Sequence, residues 1–138
     1  MPRIINTANP GKLRNQERRT IAEILRRLVA KRSLDDEARD MAAAIVYSLR
    51  AIEATIDVTT EAWEKRNYYL KADRFRLEWE WVHPYAERLE ALIREGAWER
   101  LPEELVGLMP RFADIKIIKF TRNPETWKAS YQLLLSGE

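Results

Sequence analysis

Ala42, Leu49, Ile56, Trp63, Leu70 and Leu77 recur at intervals of seven, and Ala38, Ile45 and Ile52 supply a second seam position over the first half of the run. Apolar residues at that interval line one side of an α-helix, so the whole middle of the chain reads as helical. A single straight helix from 35 to 82 would be about 70 Å long at about 1.5 Å per residue, awkward for a compact domain of this size. The β-branched cluster Ile56, Val58, Thr59 and Thr60 is the weakest helical stretch, and either Thr can cap a new start. Two helices, 35–57 and 60–82, are expected, with one fused and bent helix as the alternative.

The flanks continue the helical pattern. Asn9-Pro10-Gly11 reads as a turn, after which Leu13, Ile21, Ile24, Leu25 and Leu28 mark a first helix over 12–32. Ser33 with Asp36 three residues on is a capping-box variant ahead of the second helix. Pro84 suits the first turn of a further helix that Gly96 ends, and Trp98 to Met109 reads as the next. Asp114 to Arg122 is ambiguous between a short extended segment and helix, and a lone strand has nothing to pair with. Asn123-Pro124-Glu125 opens a last helix with Trp127, Tyr131 and Leu134 on its apolar side. No linker or repeat divides the chain. The expected fold is all-α, a single-domain helical bundle over 1–138 of five to six helices with one or two long central helices, and with 1–11 as an N-terminal arm.

Composition narrows the chemistry. With no Cys and one His among 138 residues, thiolate metal sites and disulfides are excluded. A Ser-His-Asp site within one chain must use His83, and a multi-His metal site needs a second subunit. The glycine-rich phosphate loops are missing as well. No segment is apolar enough to span a bilayer, so no membrane partner is expected and the cytoplasm is the expected location. Arg outnumbers Lys 17 to 7, a usage compatible with a thermophile or a GC-rich genome. The net charge of +2 hides an uneven distribution: nine basic and two acidic residues over 1–32, ten and seventeen over 33–110, five and three over 111–138. Either the basic first helix docks on an acidic part of its own chain or of a neighbouring subunit, or it is an arm for nucleic acid.

The expected helix over 60–82 has two apolar sides. At about 100° per residue, Trp63, Leu70, Leu77 and Trp81 form one stripe, the one expected to face a core, and Tyr68, Phe75, Trp79 and Val82 form another. A peripheral helix needs only one, so the second stripe is the candidate interface for self-association. A polar line of Lys65, Tyr69, Asp73, Arg76, Glu80 and His83 runs between them. Asp73 with Arg76, and Arg76 with Glu80, can be ordinary ion pairs along a helix face. The same line supplies the candidate catalytic residues Arg76, Glu80 and His83.

Glu80-Trp81-Val82-His83 is a Glu-x-x-His step and in those four residues resembles ferritin-like carboxylate proteins. That resemblance implies iron or another divalent metal on Glu80 and His83, only if a dimer pairs two such steps with further carboxylates such as Glu53 or Glu61. Otherwise no cofactor is expected. Arg76 and His83, with six residues between them and Pro84-Tyr85 following, resemble the Arg-x(4 to 6)-His signature of HEPN ribonucleases, although Leu77 stands where that family often has a polar residue. That resemblance implies RNA cleavage across a dimer, with Arg76 stabilising phosphate charge and His83 as general acid or base.

Nucleic-acid binding without catalysis is a third reading. It rests on Arg14, Arg18, Arg19, Arg26, Arg27, Lys31 and Arg32 of the first helix, and on Lys65, Arg66, Lys71, Arg74 and Arg76 among Tyr68, Tyr69 and Phe75. The leading expectation is an oligomeric helical interaction or scaffold protein rather than an enzyme, with a second copy, another protein or nucleic acid as partner.

Overall fold

In a computed structural model that describes residues 9–137, the chain forms α1 (Pro10–Ala30), α2 (Asp36–Lys65), α3 (Tyr69–Trp79), α4 (Val82–Glu95), α5 (Leu101–Leu108) and α6 (Ser130–Leu135). Single 3-10 turns lie at Trp98–Arg100, Met109–Phe112 and Pro124–Thr126, and no strand occurs among the described residues. The expected all-α bundle is therefore the fold. Most of the arm expected over 1–11 lies outside the described residues; Pro10 and Gly11 are the first turn of α1, where Asn9 Oδ1 accepts from the Lys12 amide at 3.1 Å.

α2 is the central element and touches α1, α3, α4 and α6. Met41, Ala42, Ala43, Ala44, Ile45, Val46 and Leu49 are all essentially inaccessible, so its first half is buried nearly all round. The alanines let the neighbouring helices approach closely. Asp35, not Ser33, caps this helix, accepting from the Ala38 amide at 2.8 Å.

The expected break at 57–60 does not occur, and α2 runs on to Lys65. Thr55 Oγ1 donates to the Ile52 carbonyl at 2.6 Å and Thr60 Oγ1 to the Ile56 carbonyl at 2.9 Å, so these buried hydroxyls are satisfied inside the helix instead of capping a new one. The chain turns at Asn67, whose φ of 65° is left-handed. The Asn67 amide donates to the Glu64 carbonyl and the Tyr68 amide to the Trp63 carbonyl, both at 2.9 Å, the paired bonds of a Schellman motif.

α3 and α4 then run antiparallel to α2: Arg76 meets Glu64, His83 meets Glu53, and Glu90 meets Arg50. They are nearly continuous, bent at Glu80–Trp81, because Pro84 has no amide hydrogen to give the Glu80 carbonyl. This reversal splits the stripe expected to face the core: Trp81 packs against the core and Trp63 meets Phe75, but Leu70 and Leu77 turn outward. The inward stripe is Ala72, Phe75, Trp79 and Val82, continuing across the bend as Ala86, Leu89 and Ile93, whereas Leu70 and Leu77, expected in the core, are 64% and 65% exposed.

Tyr85 links α4 to α5. Its hydroxyl donates to the Glu104 carbonyl and crosses directly over Gly107, where a Cβ would overlap it. Gly107→Ala should therefore destabilise the parent by about 1 kcal/mol, overlap outweighing the helical preference for alanine. In a Tyr85→Phe background the same change should stabilise by a similar amount. Urea denaturation of the four proteins of this cycle tests that inversion of sign.

A strap over 113–123 lies across α1 without being helix or strand. Its carbonyls are taken by arginines of α1: Arg26 Nη2 donates to Ile115 O at 2.7 Å, Arg19 Nη2 to Lys119 O at 2.8 Å, and Arg27 Nη2 to Arg122 O at 3.2 Å. Arg18 donates to the Arg111 carbonyl just before it at 3.1 Å and pairs with Asp114 at 2.7 Å. The Asp114–Arg122 ambiguity thus resolves into an extended chain whose main-chain partners are side chains. The helix expected to start at Asn123 is only a single turn, followed by α6 after the left-handed Ala129.

Candidate functional site

α3 has the least buried structure of the long elements, with Ala72 its only fully buried residue. It is held from the inside by an aromatic ladder. Trp63 meets Phe75 edge-on with centroids 5.1 Å apart, Phe75 meets Trp79 at 6.3 Å, Trp79 stacks on Trp81 at 6.3 Å, and Trp81 meets Tyr85 and Phe112 at 6.2 and 6.1 Å. A cation lies over nearly every ring: Lys71 over Trp63 at 4.4 Å, Arg14 over Phe75 at 4.9 Å, Arg111 over Trp81 at 4.6 Å and Arg88 over Tyr85 at 4.4 Å. Arg14 also donates to Thr55 Oγ1 at 3.1 Å and Thr59 Oγ1 at 2.8 Å, so one guanidinium joins α1, α2 and α3. Burial holds its pKa below the ordinary arginine value, against the raising effect of Glu78.

Of the residues expected at a self-association interface, Tyr68 is half exposed, Phe75 and Trp79 are engaged in the ladder, and Val82 is 1% exposed inside the core. A second copy can reach Val82 only by opening the subunit. The apolar surface that α3 does present is Tyr69, Leu70 and Leu77, each more than half exposed, with Tyr68 equally exposed at its N-cap beside a shallow depression of about 690 Å³ at the α2–α3 turn. Sequence periodicity contained the signal for this split: the stripe 72, 75, 79, 82, 86, 89, 93 keeps three- and four-residue steps across Pro84, which the stripe through Leu70 and Leu77 does not.

The polar line is divided among different partners. Arg76 makes a two-pronged pair with Glu64 at 2.9 and 3.1 Å and a longer contact with Asp73 at 3.5 Å. Hydrogen bonding from Arg76 lowers the Glu64 pKa and raises that of Arg76 in return. His83 Nδ1 lies 2.6 Å from Glu53 Oε2 and Nε2 3.6 Å from Glu87, within a network that continues through Arg50 to Glu90 and Arg94. Glu80 is exposed and its carboxylate bonds to none of the described residues. The chain therefore brings His83 to Glu53, one of the carboxylates expected near it, but ties Arg76 to Glu64. Among the described residues no group of three or more His, Asp or Glu is arranged to hold a metal ion.

The basic residues of α1 are largely engaged within the chain. Arg14, Arg18, Arg19, Arg26 and Arg27 serve the ladder and the strap, and Lys31 pairs with Asp35 and Glu37 at 2.9 Å each. Arg32 alone of that set is exposed without a partner among the described residues. Charge patterning predicted docking on acidic groups, yet the guanidinium partners along the strap are mainly main-chain carbonyls. The acidic partners are Asp114 for Arg18 and Glu23 for Arg19, and Glu23 is the residue that sequence reading missed. Fully buried, it accepts from the amides of Thr121 and Arg122 at 2.9 and 2.8 Å, from Thr121 Oγ1 at 2.7 Å, and from Arg19 Nε at 2.7 Å. Burial pushes its carboxyl pKa up, but these four bonds prevail and bring it down to about 2.

Fold and surface together define a small all-α bundle whose long central helix is enclosed and whose third helix carries an unpaired apolar face. No protein-family model matches the chain, and no curated protein or solved structure shows significant similarity to it. Among the described residues no helix is long and apolar enough to cross a membrane.

Proposed function

We propose that the protein is a cytoplasmic helical interaction module that works by self-association, and that its working surface is the outward side of α3. The observation that carries this reading is the concentration of exposed apolar side chains there: Tyr69 at 55%, Leu70 at 64% and Leu77 at 65%, with Tyr68 at 51% at the N-cap. Large apolar residues scattered singly on a surface need no explanation, whereas three on one short element with a fourth at its N-cap mark a contact. The inner ladder fixes the orientation of that element, which lowers the ordering cost of binding through it.

A helix of this length offers a strip about 16 Å long, so the association is expected to be weak and concentration-dependent. Light scattering over rising concentration should show the mean mass climbing from one chain toward two. Leu70→Glu combined with Leu77→Glu should hold it at one chain while changing stability by no more than about 0.5 kcal/mol, because both side chains are already in water. A parent that stays at one chain mass up to high micromolar concentration overturns the reading.

A further inference from the structure

We infer that the α3 face pairs with the α3 face of a second copy in parallel orientation, about a two-fold axis running along the helix. The inference rests on the self-association reading above and adds a partner and a direction to it. On α3, Leu70 and Leu77 point within about 20° of each other, and Asp73 and Arg74 stand about 50° to either side of their mean direction. A stripe with an apolar midline, an acid on one flank and a base on the other is complementary to itself in only one sense.

A two-fold axis along the helix exchanges left and right flanks. It sets Leu70 against Leu70 and Leu77 against Leu77, and it brings Asp73 of each copy to Arg74 of the other, twice over. A two-fold axis across the helix, giving an antiparallel pair, keeps each flank on its own side, so that Arg74 meets Arg74 and Asp73 meets Asp73. Like charges in that position oppose association.

The other three charges of α3 are Lys71, Arg76 and Glu78, and Glu78 is turned toward α1, where it acts to raise the Arg14 pKa against burial, so the choice is left to Asp73 and Arg74. Lys71 is drawn over the Trp63 ring at 4.4 Å, and Arg76 is held by Glu64 at 2.9 Å. Arg74 is exposed and has no partner among the described residues. Asp73 is 68% exposed and among the described residues meets Arg76 alone, at 3.5 Å. An exposed pair of that kind is worth little and exchanges readily for a contact in which apolar burial has excluded water.

The chain has no Cys, which makes the direction measurable by oxidation of single-cysteine variants. In a parallel pair Leu70→Cys and Leu77→Cys each bond to their own copies. Each should form about tenfold or more covalent dimer than Val106→Cys, an exposed control on α5, because the pairing raises the local thiol concentration. Arg74→Asp alone should weaken reversible association about tenfold, and Asp73→Arg with Arg74→Asp should restore it. If the parent dimerises but disulfides form only when Leu70→Cys is mixed with Leu77→Cys, the parallel arrangement is overturned and self-association stands. If the parent is monomeric and all three cysteine variants crosslink alike, both fall.

Discussion

Replacing Glu23 by Gln is expected to cost about 3 kcal/mol at neutral pH and almost nothing near pH 2. Glu23 is fully buried, and its carboxylate receives two main-chain amides, a hydroxyl and a guanidinium. A carboxyl with an ordinary value of 4.5 that sits at about 2 in the fold binds its proton more weakly folded than unfolded. Its stabilising contribution is complete above the unfolded value and disappears as pH falls through the folded one, a window from about pH 5 to about pH 2. Glutamine occupies nearly the same volume but replaces one acceptor by a donor that faces other donors, so it resembles the protonated acid. Urea denaturation of both proteins between pH 7 and pH 2 should give curves that converge at the acid end. A constant gap across that range would show that Glu23 acts through packing and not through its charge. Glu23→Ala goes further, leaving the donors of the strap without their shared acceptor, and about 3–5 kcal/mol is expected.

The second large effect is expected at Arg14, where Ala should cost about 2–3 kcal/mol through the loss of hydrogen bonds to Thr55 and Thr59 and of the stacked guanidinium over Phe75. Lys keeps the charge but not the planar fork, and should recover less than half of that loss. The loss is also expected to be local. α3 has one fully buried residue, so the guanidinium supplies much of what keeps it against α2. Amide exchange in 69–79 should accelerate far more than in 41–52, and association through Leu70 and Leu77 should weaken although neither residue is touched. Uniform acceleration over both segments would contradict this assignment.

The helices were legible in the sequence wherever burial and period agreed. Ala42, Leu49 and Ile56 read as core and are core, because they belong to a helix enclosed by four others. The same seven-residue spacing misled at Leu70 and Leu77, since periodicity reports that residues share a face without saying which neighbour the face meets. Once Asn67 reverses the chain, the inward side is set by α2 and not by continuation of the earlier stripe. Thr59 and Thr60 looked like caps because hydroxyls end helices in water, yet Thr60 bonds back to Ile56 in the interior. The arginines of α1 were visible as charge, but their targets are mainly carbonyls of a segment almost a hundred positions away, and carbonyls leave no trace in a sequence. Glu23 was hidden for a related reason: among nine basic residues in the first 32 it reads as one more surface charge.

The strap over 113–123 is gripped by its backbone. Arg19, Arg26 and Arg27 hold oxygen atoms that every residue type possesses, while the side chains of Ile118 and Phe120 stand 100% and 43% exposed. Lys116, Ile118 and Lys119 are consequently free to vary, whereas Ile117 packs against the core and Phe120 lies under the Arg27 guanidinium at 4.3 Å. Substitutions at those three positions leave the clamp intact, so a label can be attached there while Arg19, Arg26 and Arg27 keep their hold on the backbone. The grip thus depends on side-chain identity along the helix, and at those three positions of the strap on none.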